Sequence, residues 1–262
     1  AGGKTVILNA MLKAPEYDFL LRDSDSTILL TEKSFSEMLS SILPNIPLLK
    51  HIIEVDSDSY AKMIADSSSA SPVVDIEDDD ETAIIYTSGV LGKQKGVVHT
   101  HTSLMVAATT VAPGLGQERE DITVGMIPFF YALGLLVVGL ISSMKGSTIV
   151  ILPRFTPKNF LEAVEQEKAT ILVGVPAMYN ALAMLDDETL KKYNLSSLRV
   201  ACTAGAKASA HLMKALEEKF GLTLCEIYGT TEALATTLGD IHNRKLGTAG
   251  KPVEDIKIID AA

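Results

Sequence analysis

Short β-branched runs alternate with helix-patterned segments along nearly the whole chain, which predicts an α/β fold of mostly parallel sheets flanked by helices. Strands are expected at 5–8, 27–30, 83–86, 123–127, 148–152, 170–173, 198–202, 222–227 and 256–259. Helices are expected at 102–111, 157–167, 176–185 and 209–220, with Pro157 and Pro176 suited to a first helical turn and Gly221 closing the last helix. Ala132 to Met144 is apolar but shorter than the ~20 residues a membrane helix needs, and reads as a buried helix. Ser57 to Ser71, rich in Ser, Asp and Ala, reads as an exposed linker, and a boundary is expected near Asp75, dividing 1–74 from 75–262.

The segment Tyr86 to His101, YTSGVLGKQKGVVHTH, has the chemistry of a phosphate grip. Gly89, Gly92 and Gly96 remove side chains where backbone N–H groups must approach an anion, and Lys93 and Lys95 add mobile cations. The expected helix that follows would bring its positive N-terminal end nearby. Taken alone, the segment also fits a solvated surface loop. It is not a Walker loop, because only Val90 and Leu91 separate Gly89 from Gly92-Lys93 and Gln94 follows the lysine. The dinucleotide fingerprint and the serine-hydrolase elbow are absent too. His99 and His101 share a face of an extended segment, but no Cys, Asp or Glu lies close in sequence to complete a metal set, so support of the loop is the expected role.

A formal charge of −10 with no basic stripe argues against nucleic acid as a partner, whereas a local lysine loop with a divalent metal can still hold ATP. The acidic run Asp75 to Glu81 reads as a solvated linker. Cys202 and Cys225 lie in apolar runs and read as small buried hydrophobes, not a disulfide framework, which fits a reducing cytoplasm.

Several segments, in order, resemble the AMP-forming acyl-CoA synthetases of the adenylate-forming superfamily. Tyr86 to His101 resembles that family's phosphate loop, YTSGTTGKPKGVxHTH, and Asp25 to Leu30 resembles its "SDAKxLF" strand. Ile127 to Gly134, IPFFYALG, resembles "LPLFHxxG", and Val175 to Tyr179 resembles "VPPxY". Leu198 to Ala206 resembles "LRxxxSGGA", Glu226 to Glu232 resembles "xxYGxTE", and Gly247 to Pro252 resembles "GSVGKP". Val90 and Leu91 stand where the family has threonines, which implies weaker nucleotide binding; Gln94 replaces a common proline and Tyr131 a usual histidine.

The resemblance implies the central part of the large N-terminal domain of an adenylate-forming enzyme. The C-terminal domain with its catalytic lysine is expected to be absent, so negligible thioester formation is expected from this chain alone. It implies activation of a fatty or aryl carboxylic acid by ATP and Mg²⁺ to an acyl-adenylate, followed by capture on coenzyme A. Thr87, Ser88, Gly89, Gly92, Lys93 and Lys95 are the implied phosphate contacts, with Lys93 first among them for charge. Ala204, Gly205 and Ala206 would leave room for adenine or the acyl chain. Tyr228 would lie against adenine beside Gly229 and Thr230, Thr231 would reach the α-phosphate, and Glu232 would hold Mg²⁺. Phe130, Tyr131, Leu133, Gly134 and Val175 would line the acyl pocket, where the absence of an acid favours a substrate without an amine. Alternatives are a catalytically silent scaffold of the same fold, and a module that loads a carrier-protein thiol.

Overall fold

Where β-branched residues cluster the chain forms strands, and the segments between them cover the sheets with amphipathic helices. The computed structural model describes residues 2–87, 94–253 and 255–257. Packing divides the chain into two compact units, residues 1–99 and 100–262.

The first unit runs β1 (Thr5–Val6), α1 (Ala14–Asp23), β2 (Ile28–Thr31), α2 (Ser36–Ser40), β3 (His51–Glu54), α3 (Asp58–Asp66), β4 (Glu81–Thr87) and β5 (Lys95–Thr100), whose last residue enters the second unit. Strands β1, β4 and β5 form one sheet in that order, and β2 pairs in parallel with β3. Tyr17, Leu21, Leu29, Leu39, Ile42 and Ile46 make its small apolar core. Pro15 lies in the first turn of α1, where the Lys13 N–H donates to the Glu16 carboxylate at 2.9 Å.

One expectation is corrected here, and one strand was missed. The expected linker 57–71 contains α3, because the Ser57 hydroxyl caps it by accepting the Tyr60 N–H at 3.1 Å; Ser and Asp here start a helix instead of avoiding one. Strand β5 was not expected: the β-branched residues Val97, Val98 and Thr100 form it, and the helix expected at 102–111 follows it directly.

The second unit contains α4 (His101–Leu115), β6 (Ile122–Gly125), a π-helix (Gly134–Ile141), α5 (Ser142–Lys145), β7 (Thr148–Ile151), α6 (Pro157–Glu167), β8 (Ile171–Gly174), α7 (Pro176–Ala183), α8 (Asp187–Leu190), β9 (Val200–Thr203), α9 (Ala210–Phe220), β10 (Thr223–Tyr228), β11 (Thr237–Leu238) and β12 (Lys251–Pro252). Its sheet runs β12-β11-β10-β9-β8-β6-β7, parallel from β10 to β7 and antiparallel at β11 and β12. Of the strand expected at 256–259, residues 256 and 257 are irregular and the other two lie outside the described residues. The apolar run 132–144 forms the π-helix and the start of α5, and no described helix is long and apolar enough to cross a membrane.

Helices α6, α7 and α9 bury Phe160, Leu161, Val164, Tyr179, Leu182, Met213 and Leu216 against Leu172, Ala201 and Leu224 of the sheet. Each large side chain removed from water there contributes about 1.5–3 kcal/mol. Thr156 and Ser209 cap α6 and α9 through their hydroxyls. Cys202 and Cys225 are fully buried, free, and opposite each other on β9 and β10.

Asp121, just before β6, ties the starts of four strands together. Its carboxylate accepts from the Thr170 hydroxyl ahead of β8 at 2.6 Å and from Arg199 Nε ahead of β9 at 2.8 Å, with a further Arg199 contact through Nη2. Its carbonyl accepts the Thr148 N–H of β7 at 3.0 Å, and the Glu118 N–H donates to its second carboxylate oxygen at 2.7 Å. Burial alone would raise this carboxyl, but the guanidinium, the hydroxyl and the N–H outweigh it and hold Asp121 below the usual carboxylate range. The stabilisation is therefore complete above the unfolded pKa of about 4 and is lost as pH falls through the lower folded value. Asp121→Asn is expected to lower unfolding stability by about 2 kcal/mol at pH 7. Urea denaturation should show that difference shrinking in strong acid, and an unchanged midpoint at pH 7 would contradict this role.

Candidate functional site

Parallel strands share a direction, so the loops leaving their C-terminal ends gather on one edge of the sheet, where α/β folds place ligands. The strands end nearly level in the second unit: Gly125 is opposite Val173, Gly174 opposite Thr203, and Thr203 opposite Glu226. Directly after them come Phe130 and Tyr131 beyond β6, Val175 after β8, Ala204 to Ala206 after β9, and Gly229 to Glu232 after β10.

The loop after β9 is open because its residues are small. Ala204 is buried, Gly205 and Ala206 are exposed, and Gly205 has φ +81°. A Cβ on Gly205 would lie 3.7 Å from Val175 Cγ1, so the structure brings these two expected site residues together. Behind them Tyr179 is fully buried and its hydroxyl donates to the Cys202 carbonyl at 2.8 Å, locking α7 to the sheet. Burial pushes that phenol well up and keeps it a donor.

The turn after β10 is tight. A Cβ on Gly229 would fall 1.9 Å from the Leu234 carbonyl oxygen, so no side chain fits. The Thr236 N–H donates to the Tyr228 carbonyl at 2.8 Å, and the Thr230 hydroxyl accepts the Ala233 N–H at 3.2 Å. Tyr228 is left 56% exposed, an available face for a flat ring. Thr231 is half-buried and Glu232 exposed. Glu232 makes no ion pair with a described residue, and an exposed carboxylate is the kind of oxygen ligand that Mg²⁺ takes while keeping most of its waters. Among the described residues no group of three or more His, Cys, Asp or Glu could hold a metal unaided.

In the expected acyl segment the Phe130 and Tyr131 rings tilt together with centroids 4.4 Å apart. Leu133 is half-buried and Gly134 is buried at the start of the π-helix. Thr87, half-buried at the end of β4, and Lys95, exposed at the start of β5, belong to the first unit. Ser88, Gly89, Gly92 and Lys93, with Val90 and Leu91, lie outside the described residues. His99 is buried.

A profile of the family described as AMP-binding enzyme matches residues 1–262. The chain belongs to the AMP-binding enzyme family. It is 31% identical to a feruloyl-CoA synthase of an Amycolatopsis species, over 96% of this chain and 50% of that protein. It is 28% identical to the benzoate–CoA ligase of Thauera aromatica, over 97% of this chain and 49% of that protein. The anthranilate CoA ligase AuaEII, solved in complex with anthranoyl-AMP, superposes with a TM-score of 0.91 at 27% identity, over 99% of this chain and 51% of that one. The inhibitor-bound N-terminal domain of FACL13 from Mycobacterium tuberculosis superposes with a TM-score of 0.85 at 28% identity, over 94% of this chain and 62% of that one. The chain thus has the fold of an adenylate-forming N-terminal domain and spans about half the length of the curated relatives it matches.

Two buried polar groups at this edge were not expected from the sequence. Glu226 Oε1 accepts the Ala208 N–H at 3.2 Å while Oε2 has no partner among the described residues, and neither does the buried hydroxyl of its register neighbour Thr203. The signal was a lone acid inside the apolar strand TLCEIY. Burial raises the Glu226 carboxyl, with the Ala208 N–H and Lys207 opposing it. A carboxyl raised by folding costs stability as pH climbs through its folded pKa, so Glu226→Gln should be the more stable protein at pH 7, by roughly 1 kcal/mol, with the gap closing below pH 4. Thermal melts across pH check the sign.

The two loop glycines should respond differently to a methyl group. Gly205→Ala meets only an ordinary contact with Val175 Cγ1 and a positive φ, whose cost is roughly 1 kcal/mol. Gly229→Ala drives a carbon into a carbonyl and should cost several-fold more in melting temperature; equal losses would show that the turn after β10 relaxes freely.

Proposed function

We propose that the chain is part of an AMP-forming carboxylate–CoA ligase that activates a fatty or aryl acid. The observation that carries this reading is the level edge of the parallel sheet, where the loop after β9, the turn after β10, Val175 and the aromatic pair of the β6 loop all emerge. The relatives named for ferulate, benzoate and anthranilate support a flat aromatic acid, and the segment PFFYALG, which offers no acid to pair with an ammonium group, favours a substrate without a charged amine.

In this reading a carboxylate oxygen attacks the α-phosphorus of ATP and pyrophosphate leaves. Coenzyme A thiolate then attacks the acyl carbon and AMP leaves. Two anions must meet in the first step, and fixed donors and cations lower that barrier. Tyr228 would stack on adenine, Ala204 to Ala206 would let the nucleotide lie on the backbone, and Thr231 would donate to the α-phosphate. Thr87, Ser88, Gly89, Gly92, Lys93 and Lys95 would hold the remaining phosphates. Glu232 would hold Mg²⁺, which neutralises phosphate charge. Phe130, Tyr131, Leu133 and Val175 would contact the acid; a carrier-protein thiol is the alternative acceptor. The hydrophobic pair Val90 and Leu91, in place of hydroxyl donors, favours a silent scaffold as the second reading.

Calorimetric titration with Mg-ATP and with a non-hydrolysable acyl-adenylate analogue distinguishes the two. Saturable binding that falls roughly tenfold or more for Mg-ATP in Lys93→Ala supports the ligase. Binding of neither ligand supports the scaffold. Val90→Thr with Leu91→Thr is expected to tighten Mg-ATP, and no gain would remove the phosphate role of this segment.

A further inference from the structure

The loop after β9 is tied to β10 by one side chain. Glu226 lies on β10 opposite Thr203, the last residue of β9. Its backbone is held from the other side as well, because Gly239, directly after β11, donates its N–H to the Glu226 carbonyl at 2.8 Å. A Cβ on Gly239 would stand 3.3 Å from both the Glu226 nitrogen and its carbonyl oxygen, so the two backbones pass closely. From this fixed base Glu226 Oε1 accepts the Ala208 N–H at 3.2 Å, across 18 positions. Ala208 is buried and closes the loop, since Ser209 follows it and starts α9 by accepting the Leu212 N–H on its hydroxyl at 3.1 Å. Among the described residues no other hydrogen bond holds Gly205 to Ala208. Glu226 is 5% exposed and its Oε2 is sealed from solvent, so the carboxyl acts on the loop and not on anything outside it.

We propose that Glu226 is a positioning residue that sets the spacing between the backbone of Ala204 to Ala206 and the Tyr228 ring, the two walls between which the adenylate lies. The proposal rests on the adenylation reading above. Glu226 and Tyr228 are two residues apart on one strand and share a face, so the strand that carries the ring also carries the carboxyl that anchors the loop. Ala204, Gly205 and Ala206 have almost no side chain to pack, and Gly205 holds φ +81°, so the place of this loop must come from an anchor. One hydrogen bond adds little net stability, but fixing a binding loop beforehand removes an ordering cost from each binding event. The residue is also expensive for the fold. Burial raises its carboxyl, and a side chain serving only the core would be apolar there, as Leu224 is two residues earlier on the same face. Oε1 can accept whether or not the carboxyl carries a proton, so an amide oxygen in the same place serves equally.

The test compares the full chain with its Glu226→Gln, Glu226→Met and Glu226→Leu variants. Each is titrated calorimetrically with a non-hydrolysable benzoyl-adenylate analogue, hydrogen exchange is followed over residues 204–208, and thermal melts are recorded in parallel. Glu226→Gln keeps an oxygen for the Ala208 N–H and is expected to bind the analogue within about twofold of the wild-type chain. Glu226→Met and Glu226→Leu fill the space without an acceptor. They are expected to bind roughly three- to tenfold more weakly and to exchange faster at 204–208, while melting stays close to wild type because losing a buried carboxyl offsets losing the hydrogen bond. Affinity and melting temperature that collapse together in both apolar variants would assign Glu226 a structural role and overturn the proposal. An equal loss of affinity in Glu226→Gln would trace the effect to charge and overturn it too. A wild-type chain that fails to bind the analogue overturns the adenylation reading and this proposal with it, whereas wild-type binding with unchanged affinity in both apolar variants overturns the proposal alone.

Discussion

The site in the second unit depends on a pin at the far edge of its sheet. Asp121 draws together the N-terminal ends of β6, β7, β8 and β9 through Thr148, Thr170 and Arg199. Strands fixed in register at one end emerge level at the other, and the level end carries the loops that matter. A slip of one residue would reverse the side chains of a whole strand between the two faces. It would also take Val175 away from Gly205 and Thr203 away from Glu226. Packing on the helix side, from Phe160, Tyr179 and Met213, supplies most of the favourable energy, while the buried charge cluster selects the register in which that packing occurs.

At the opposite edge the chain gives up stability in small amounts. Glu226 and Thr203 bury polar atoms with no partner among the described residues, Gly205 holds a positive φ, and Gly229 admits no side chain. Local rules are broken most often at functional or strained sites. In the Asp121 cluster, by contrast, the carboxylate is matched from several directions, so one end of the sheet is fully paired and the other is not.

Much of the architecture was legible from composition and period. The runs at 123–127, 170–173, 198–202 and 222–227 became adjacent parallel strands because each is dominated by apolar residues, as strands buried on both faces must be. Less legible were α3, whose Ser and Asp residues suit a helix cap and a linker equally, and β5, which the glycine and lysine content of its neighbourhood disguised. The motif residues after β8, β9 and β10 stood out as short sequence patterns. Glu226 did not, because a single acid in a strand gains meaning only when its burial is known.

The sequence by itself determined the class of fold, the order of the main parallel strands of the second unit and the helices between them, and the residue types available for nucleotide and acid chemistry, since these follow from local period, caps and spacing. Tertiary structure alone decided which of those residues meet. Tyr86 finds Asp23 across 63 positions, and Arg199 finds Asp121 across 78. Such contacts depend on strand register and helix packing, which are set by the sum of many apolar contacts and carry no mark in any short stretch of sequence.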